Sequence, residues 1–119
     1  MTTGVSFKAV SKPTHNESLQ FCLEIWKDVY NQGRAEGKTD YTASQEAHKA
    51  YREAMPDLIT FSDIRDFIAC VGRGILIQAI DQDEASKLLA AARIASQAYA
   101  SSEKAVLKAV KQAQAGYTA

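Results

Sequence analysis

Histidine, cysteine and proline are scarce in this chain, and their scarcity removes several kinds of site. Of its 119 residues, two are histidine, two are cysteine and two are proline. Neither His15 nor His48 has a second histidine, a cysteine or a carboxylate at the three- or four-residue spacing of a helical metal site. Cys22 and Cys70 lie far apart among apolar residues, which predicts buried thiols. We therefore expect no metal and no cofactor.

Recognisable catalytic motifs are missing as well. Gly72-Arg73-Gly74 is short of a phosphate-binding loop, because it lies within a helical apolar pattern and lacks a third glycine or a lysine. Cysteine catalysis would need an exposed thiol, and both cysteines fall on or beside apolar stripes. We expect no catalytic residue and a protein that is not an enzyme.

Net charge is absent overall but present locally. Residues 1–52 have seven basic and six acidic side chains, a net charge of +1. Residues 53–84 have two basic and seven acidic side chains, a net charge of −5. Residues 85–119 have five basic side chains and one acidic side chain, a net charge of +4. Within residues 53–84, Asp57, Asp66 and Asp83, which helix starts do not explain, form a candidate acidic patch. Helix starts account for Asp63, Asp81 and Glu84. No apolar run approaches the roughly 20 residues that span a bilayer, so we expect a cytoplasmic protein that binds no membrane.

Two apolar stripes between residues 60 and 100 predict a helical hairpin. Thr60 and Asp81 are each followed three residues later by an acidic residue, a pattern typical of helix starts. The short link between the two helices makes them antiparallel neighbours. The first stripe, expected to be buried, recurs at three- and four-residue steps: Ile64, Phe67, Ile68, Val71, Ile75, Leu76 and Ala79.

Small residues predict where these two helices cross. The second helix carries mostly small residues on its apolar side, among them Ala85, Ala92 and Ala95. A glycine inside a helix costs about 1 kcal/mol relative to alanine, and close contact between two backbones can recover that loss. We expect a close crossing near Gly72 to Gly74.

The whole chain is predicted to be one all-α domain in a four-helix arrangement. Trp26 lies within a clear apolar stripe and is expected in the core, with a binding role as the alternative. The second helix has a thin, alanine-rich apolar side and is expected at the edge, capped by Thr42, with His48 and Arg52 exposed. The predicted elements are an arm at 1–16 and helices at 17–36, 42–55, 60–80 and 82–115.

The arm shows a strand-like alternation at Val5, Phe7 and Ala9. A single strand has nothing to pair with here. We expect this short extended arm either to pack Phe7 onto the helices or to reach a second subunit, with disorder as an equal alternative.

The last helix carries a seven-residue repeat. A continuous helix is one option, and a break at Ser101-Ser102 is the other. A continuous helix would project from a domain of this size unless a second chain covered Val106, Leu107 and Val110, so these three residues form a candidate homodimer face. The residues that are seven apart are Ala85, Ala92, Tyr99, Val106 and Ala113.

Three lysines lie on one side of the same helix, at Lys104, Lys108 and Lys111. They are candidate contacts for a partner protein or for the phosphates of a nucleic acid. Three lysines give few phosphate contacts, and no aromatic residue lies between them for base stacking. A solvated helix face is the alternative.

Three segments of the sequence resemble a set of short bacterial proteins of unknown function that are associated with plasmids, phage-like and other mobile elements. The segments are AYREAMPDL at Ala50 to Leu58, IRDFIACVGRGILIQAI at Ile64 to Ile80 and ASKLLAAARIASQA at Ala85 to Ala98. The resemblance covers about half of the chain and implies a bacterial accessory gene. It implies no catalytic residue.

These observations favour a small helical regulator or inhibitor that acts by binding another protein, for example a host system such as a defence nuclease. The alternative is a nucleic-acid-binding accessory protein that uses the basic last helix. An enzyme built on a helical bundle is the least favoured of the three.

Overall fold

The structure is a computed structural model that describes residues 8–118, with side chains as far as residue 115. The described part is helical, without a strand. This confirms the all-α class and the long last helix. A short helical segment at residues 8–11 is followed by four helices: α1 (Glu17–Ala35), α2 (Asp40–Glu53), α3 (Phe61–Leu76) and α4 (Gln82–Thr118).

Helices α1 and α2 form the most extensively packed pair. Small side chains let them approach closely: a Cβ built on Gly33 would lie 3.1 Å from Cβ of Ala43. Trp26 of α1 and Tyr51 of α2 are both fully buried, which confirms the core interpretation of Trp26. Among the four helices α2 packs extensively on α1 only, which is the predicted edge position. The expectation that its alanine side has little to bury is wrong, because that side lies close against α1.

Helix α3 packs on this pair through polar and apolar contacts. The Tyr51 hydroxyl donates a hydrogen bond to the Cys70 carbonyl oxygen at 2.5 Å. The sulfur atoms of Cys22 and Cys70 lie 4.0 Å apart, with both side chains buried. At the start of α1, the Asn16 side chain donates to the Asp66 carboxylate at 2.8 Å. The core therefore lies where α1, α2 and α3 meet.

The buried stripe of α3 differs from the predicted one. Ile64, Phe67 and Val71 are buried as expected, together with Cys70. Three residues of the predicted stripe are instead exposed: Ile68 by 46%, Ile75 by 38% and Leu76 by 63%. The reason is that α1 approaches α3 on its Asp66 and Cys70 side, which turns part of the broad apolar face outward.

Helix α3 ends at Leu76, short of the predicted residue 80. Gln78 adopts a left-handed conformation with φ of 65°. The Gln78 N–H then bonds the Ile75 carbonyl oxygen at 3.1 Å, and the Ala79 N–H bonds the Gly74 carbonyl oxygen at 2.8 Å. These two bonds are the Schellman pattern of a helix C-terminus, a position where glycine is the usual left-handed residue.

The close helix crossing that was predicted near Gly72 to Gly74 is found at only one of the two glycines. A Cβ on Gly72 would meet no atom within 4 Å, so this glycine does not contact another helix. A Cβ on Gly74 would lie 2.6 Å from Cδ1 of Ile80 and 3.2 Å from Cε1 of Tyr51. The close approach is therefore made at Gly74 alone, with the link after α3 and with α2.

Residues 8–11 are helical, so the prediction of an extended arm is wrong for this segment. Val10 is buried in the core with 1% exposure. The Arg73 guanidinium donates to the carbonyl oxygens of Ala9 at 3.1 Å and Lys12 at 2.8 Å, which ties this segment to α3. A short alternation does not distinguish a strand from a helical turn that distant contacts hold in place. Phe7 lies outside the described residues.

The helix starts match the expected chemistry in two places and differ in one. Thr60 accepts from the Asp63 N–H at 3.1 Å while Asp63 accepts from the Thr60 N–H, a full capping box. Asp81 caps α4 by accepting from the Glu84 N–H at 2.7 Å. The cap of α2 is Thr39, not Thr42, because the helix begins two residues earlier than predicted.

Candidate interaction surface

Helix α4 extends well beyond the packed body. It is continuous across Ser101 and Ser102, so the predicted alternative of a break there is wrong. Its 37 residues span about 55 Å at 1.5 Å per residue, and the molecule measures 74 × 25 × 20 Å. The radius of gyration is 19.5 Å, against about 13 to 14 Å for a compact chain of this length. We call residues 101–118 the tail.

Tyr99 marks the point where α4 leaves the body. Its ring packs edge to face on Phe61, with centroids 4.1 Å apart. Before it, Ala85 and Ala92 are buried in the core. After it, every described side chain from Ser101 to Ala115 is exposed. The tail is thus a bare helix that the body supports only at one end.

The tail carries an apolar surface that is exposed to solvent. Val106 is 60% exposed, Leu107 is 59% exposed and Val110 is 47% exposed. These three residues, the predicted dimer face, are here called the tail stripe. At 100° per residue, Val106 and Val110 fall on the side of α4 that Ala85 and Ala92 bury in the body. The tail stripe therefore continues a packing face past the point where its own packing partner stops.

The three lysines of the tail lie opposite Val106 and Val110, whereas Leu107 lies beside them at the edge of the tail stripe. Lys104, Lys108 and Lys111 are exposed, and their spacing places them on the opposite side of the helix from Val106 and Val110. No acidic residue follows Glu103 in the sequence. We call these residues the lysine face. The tail is thus amphipathic, with a positive side and an apolar side.

The predicted acidic patch is only partly available. Asp57 and Asp83 are exposed. Asp66 is used within the fold. Although burial opposes it, hydrogen bonds from Asn16 and Ser18, together with Arg65, hold the Asp66 pKa below its usual range. Its carboxylate therefore fastens the start of α1 to α3 rather than facing a partner.

The prediction that His48 is exposed is wrong. The side chain is 6% exposed and its Nδ1 accepts a hydrogen bond from Trp26 Nε1 at 2.9 Å. Burial, and then the charge of Arg52, lower the pKa of His48. Arg52 is itself only partly exposed and donates to the Ala79 carbonyl oxygen at 2.7 Å. The pair Trp26 and His48 is a buried polar contact between α1 and α2.

Three titratable side chains of the core each contact one neighbour: Cys22 and Cys70 contact each other, and His48 contacts Trp26. Cys70 has its pKa raised by its hydrogen bond with Cys22 and by burial, so it is a neutral thiol. The Nδ1 atom of the His48 imidazole accepts the hydrogen bond from Trp26. Among residues 8–118 no group of three histidine, cysteine or carboxylate side chains is placed to hold a metal ion.

Sequence reasoning missed a second exposed apolar line, on α3. Phe61, Ile68 and Ile75 are seven residues apart and are 40%, 46% and 38% exposed. They were assigned to the core or left out, because periodicity gives the width of an apolar face but not which part of it is covered. The seven-residue spacing was the available signal.

Across the described residues, no helix is both long enough and apolar enough to cross a membrane. The chain matches no known protein family, and neither the curated proteins nor the solved structures contain a match to it.

Proposed function

We propose that this chain is a non-enzymatic protein-binding regulator that docks its tail onto another protein. The observation that carries the proposal is the tail stripe: Val106, Leu107 and Val110 extend a packing face into solvent at about half to two-thirds exposure. Amphipathic helices bind grooves on partner proteins through residues at this spacing. The proposal includes a cytoplasmic location, which the two free cysteines suit.

The arrangement of the last two helices supports this use. We infer that α3 and α4 form an antiparallel hairpin, because a short link joins the end of α3 to the start of α4. The Phe61 ring at the start of α3 contacts Tyr99, far along α4. This hairpin fixes the base of the tail, so the tail stripe is presented in one orientation.

The exposed area of the tail stripe limits the free energy that covering it can gain. The tail stripe amounts to about one and two-thirds fully exposed side chains, and burying one valine or leucine is worth about 1.5 to 3 kcal/mol. Covering the stripe therefore gains roughly 2.5 to 5 kcal/mol before the loss of free motion, which is about 4 kcal/mol or more. A tight complex must engage further surface, and Phe61, Ile68 and Ile75 are exposed on the same molecule.

The biological form of the proposal comes from the sequence resemblance. A regulator or inhibitor encoded by a bacterial mobile element, acting on a host system such as a defence nuclease, would need only a preformed docking surface. It would need no reactive group of its own. The target is therefore expected to be a protein with an apolar groove that accepts a helix.

The test is capture of the partner from cells of the bacterial host, with mass spectrometry to identify it. The chain is immobilised as wild type, as Val106→Ser with Val110→Ser, and as Lys104→Gln with Lys108→Gln and Lys111→Gln. Serine and valine have similar helix propensity, so the first variant changes the apolar surface and not the helix. A partner that the serine variant loses and the glutamine variant keeps supports the proposal. A partner retained equally by all three chains contradicts it.

Nucleic-acid binding is the second candidate, favoured by the lysine face and by the lack of any carboxylate after Glu103. Three phosphate contacts on duplex DNA would give log affinity a slope of about −2.7 against log salt. A gel shift that weakens in this way and disappears in Lys104→Glu with Lys108→Glu and Lys111→Glu would favour it. No shift at low salt would remove it.

A further inference from the structure

The tail stripe is continuous with a face that already packs against a helix. Between Ala85 and Ala92 this face of α4 is buried in the chain's own body, and past Tyr99 the same face is bare. Its residues recur every seven positions, a period that favours pairing with another helix wound around it. The cover that is missing from the tail is therefore itself helical.

The charges around the tail stripe permit a second copy of the same tail as that helix. The lysine face lies opposite Val106 and Val110, so two tails joined by these valines keep Lys104, Lys108 and Lys111 in solvent. Glu103 is the one charged residue between Lys104 and Tyr99, and it falls on the apolar side. A symmetric pair buries the same patch from both copies.

Glu103 also sets the direction of such a pair. If the two tails ran parallel and in register, Glu103 would face Glu103 of the second copy, and opposing like charges are destabilising. In an antiparallel pair with its two-fold axis at residue 108, Glu103 faces Ala113 of the second copy. Val106 then faces Val110 of the second copy, and the two-fold axis repeats this valine–valine contact once more.

We propose that the tail stripe is covered by the tail of a second copy of this chain, in an antiparallel pair centred on residue 108. This inference concerns the surface on which the proposed function rests and gives it a different occupant, so another protein can dock on the tail stripe only when the two copies separate. It adds a symmetric molecule in which the two bodies lie at opposite ends of a joined pair of helices. The two lysine faces then point away from each other.

The direction can be tested by exchanging charges within one chain. Val106→Glu or Val110→Lys alone places a charge against a valine, so each should weaken dimer formation at least about tenfold in sedimentation equilibrium. The double variant, Val106→Glu with Val110→Lys, opposes glutamate to lysine twice in an antiparallel pair and should recover most of that loss. In a parallel pair it opposes glutamate to glutamate and lysine to lysine, so it should be weaker than either single variant.

Lys108→Ala is the matched control, because it changes the far side of the helix and should leave dimer formation unchanged. Salt gives a second readout: screening of the lysines should hold or strengthen the dimer, whereas binding to a nucleic acid weakens. Circular dichroism of each variant checks that the tail remains helical.

The expected result for the wild type is a rise from 13.0 kDa toward twice that mass as the protein concentration increases. A wild type that stays monomeric up to about 200 μM, where association would be worth only about 5 kcal/mol, overturns the pairing. So does a double variant no better than the singles. A monomer whose tail stripe still captures another protein would refute this inference and leave the proposed function standing. A dimer that captures no other protein would support this inference and contradict the proposed function.

Discussion

Two glycines that are two residues apart, and so lie on different sides of α3, give a direct test of how this helix is packed. Gly72→Ala and Gly74→Ala make the same chemical change in the same helix. A Cβ at position 72 enters open space, whereas at position 74 it would lie 2.6 Å from Cδ1 of Ile80. Ile80 and Tyr51 are both buried, so neither can move aside freely.

The two substitutions share one energy term and differ in another. Each gains about 1 kcal/mol because alanine is a better helix former than glycine. Only Gly74→Ala adds overpacking, which typically costs about 1 to 3 kcal/mol. We therefore expect Gly72→Ala to stabilise by up to about 1 kcal/mol. Gly74→Ala should be less stable than Gly72→Ala by about 1 to 3 kcal/mol.

Urea unfolding followed by circular dichroism measures both values. Both variants and the wild type are compared at one protein concentration, since any association of the tails makes stability depend on concentration. A Gly72→Ala variant that is destabilised as much as Gly74→Ala would mean that another helix contacts position 72. That outcome would refute the packing of α3 described here.

Three other substitutions and one truncation test separate contacts. Gln78→Gly should stabilise by about 1 kcal/mol in the same assay, because Gln78 has φ of 65° and glycine adopts that conformation without strain; no gain would argue against the Schellman end. Ser44→Ala should stabilise by about 0.5 to 1.5 kcal/mol, since the buried Ser44 hydroxyl has no hydrogen-bond partner among the described residues. The His48 pKa is lowered in the fold, so the unfolded chain takes up the proton first. Stability should be full above about pH 6.5 and fall as the pH drops to 5.5, and His48→Gln should flatten that fall. A chain ending at Ala100 should have a free energy of unfolding within about 0.5 kcal/mol of the full chain when both are compared at a concentration that keeps the full chain monomeric, and a larger loss there would show that the tail packs on the body.

The sequence was sufficient for the helices because their signals are local. Thr60 with Asp63, and Asp81 before Glu84, are hydrogen-bonding patterns that span three residues, and the structure shows them where they were expected. The seven-residue repeat allowed one continuous helix through Ser101 and Ser102 but left a break there as the alternative, and the structure shows the continuous helix. Local chemistry decides where a helix starts, and it does so before any packing is known.

Packing between helices was much less predictable, because it depends on contacts between distant residues. Ile68 and Ile75 match an apolar face as well as Ile64 does, yet only Ile64 is buried. His48 looked like a surface residue until Trp26, 22 positions away, supplied its hydrogen bond. The alanines of α2 suggested weak packing, although small side chains also allow the closest packing.

The sequence predicted which residues form the candidate surface but not that they are exposed to solvent. Val106, Leu107 and Val110 follow from the repeat, and so do the three lysines on the opposite side. That every described side chain after Ala100 is exposed could not follow from the repeat, because a long amphipathic helix can fold back over its own body. Exposure depends on where α4 leaves α3, and the contact of Tyr99 with Phe61 fixes that point.

A bare helix of this length is unusual, and its composition explains how it persists. An isolated helix is limited by the difficulty of forming its first turn. The tail avoids that step, because the first half of α4 is already helical against the body. Alanine, lysine and glutamine, which favour the helix, make up most of residues 104–115. A tail that is ordered before binding loses little conformational freedom when it docks, so even a small apolar stripe can contribute to a specific complex.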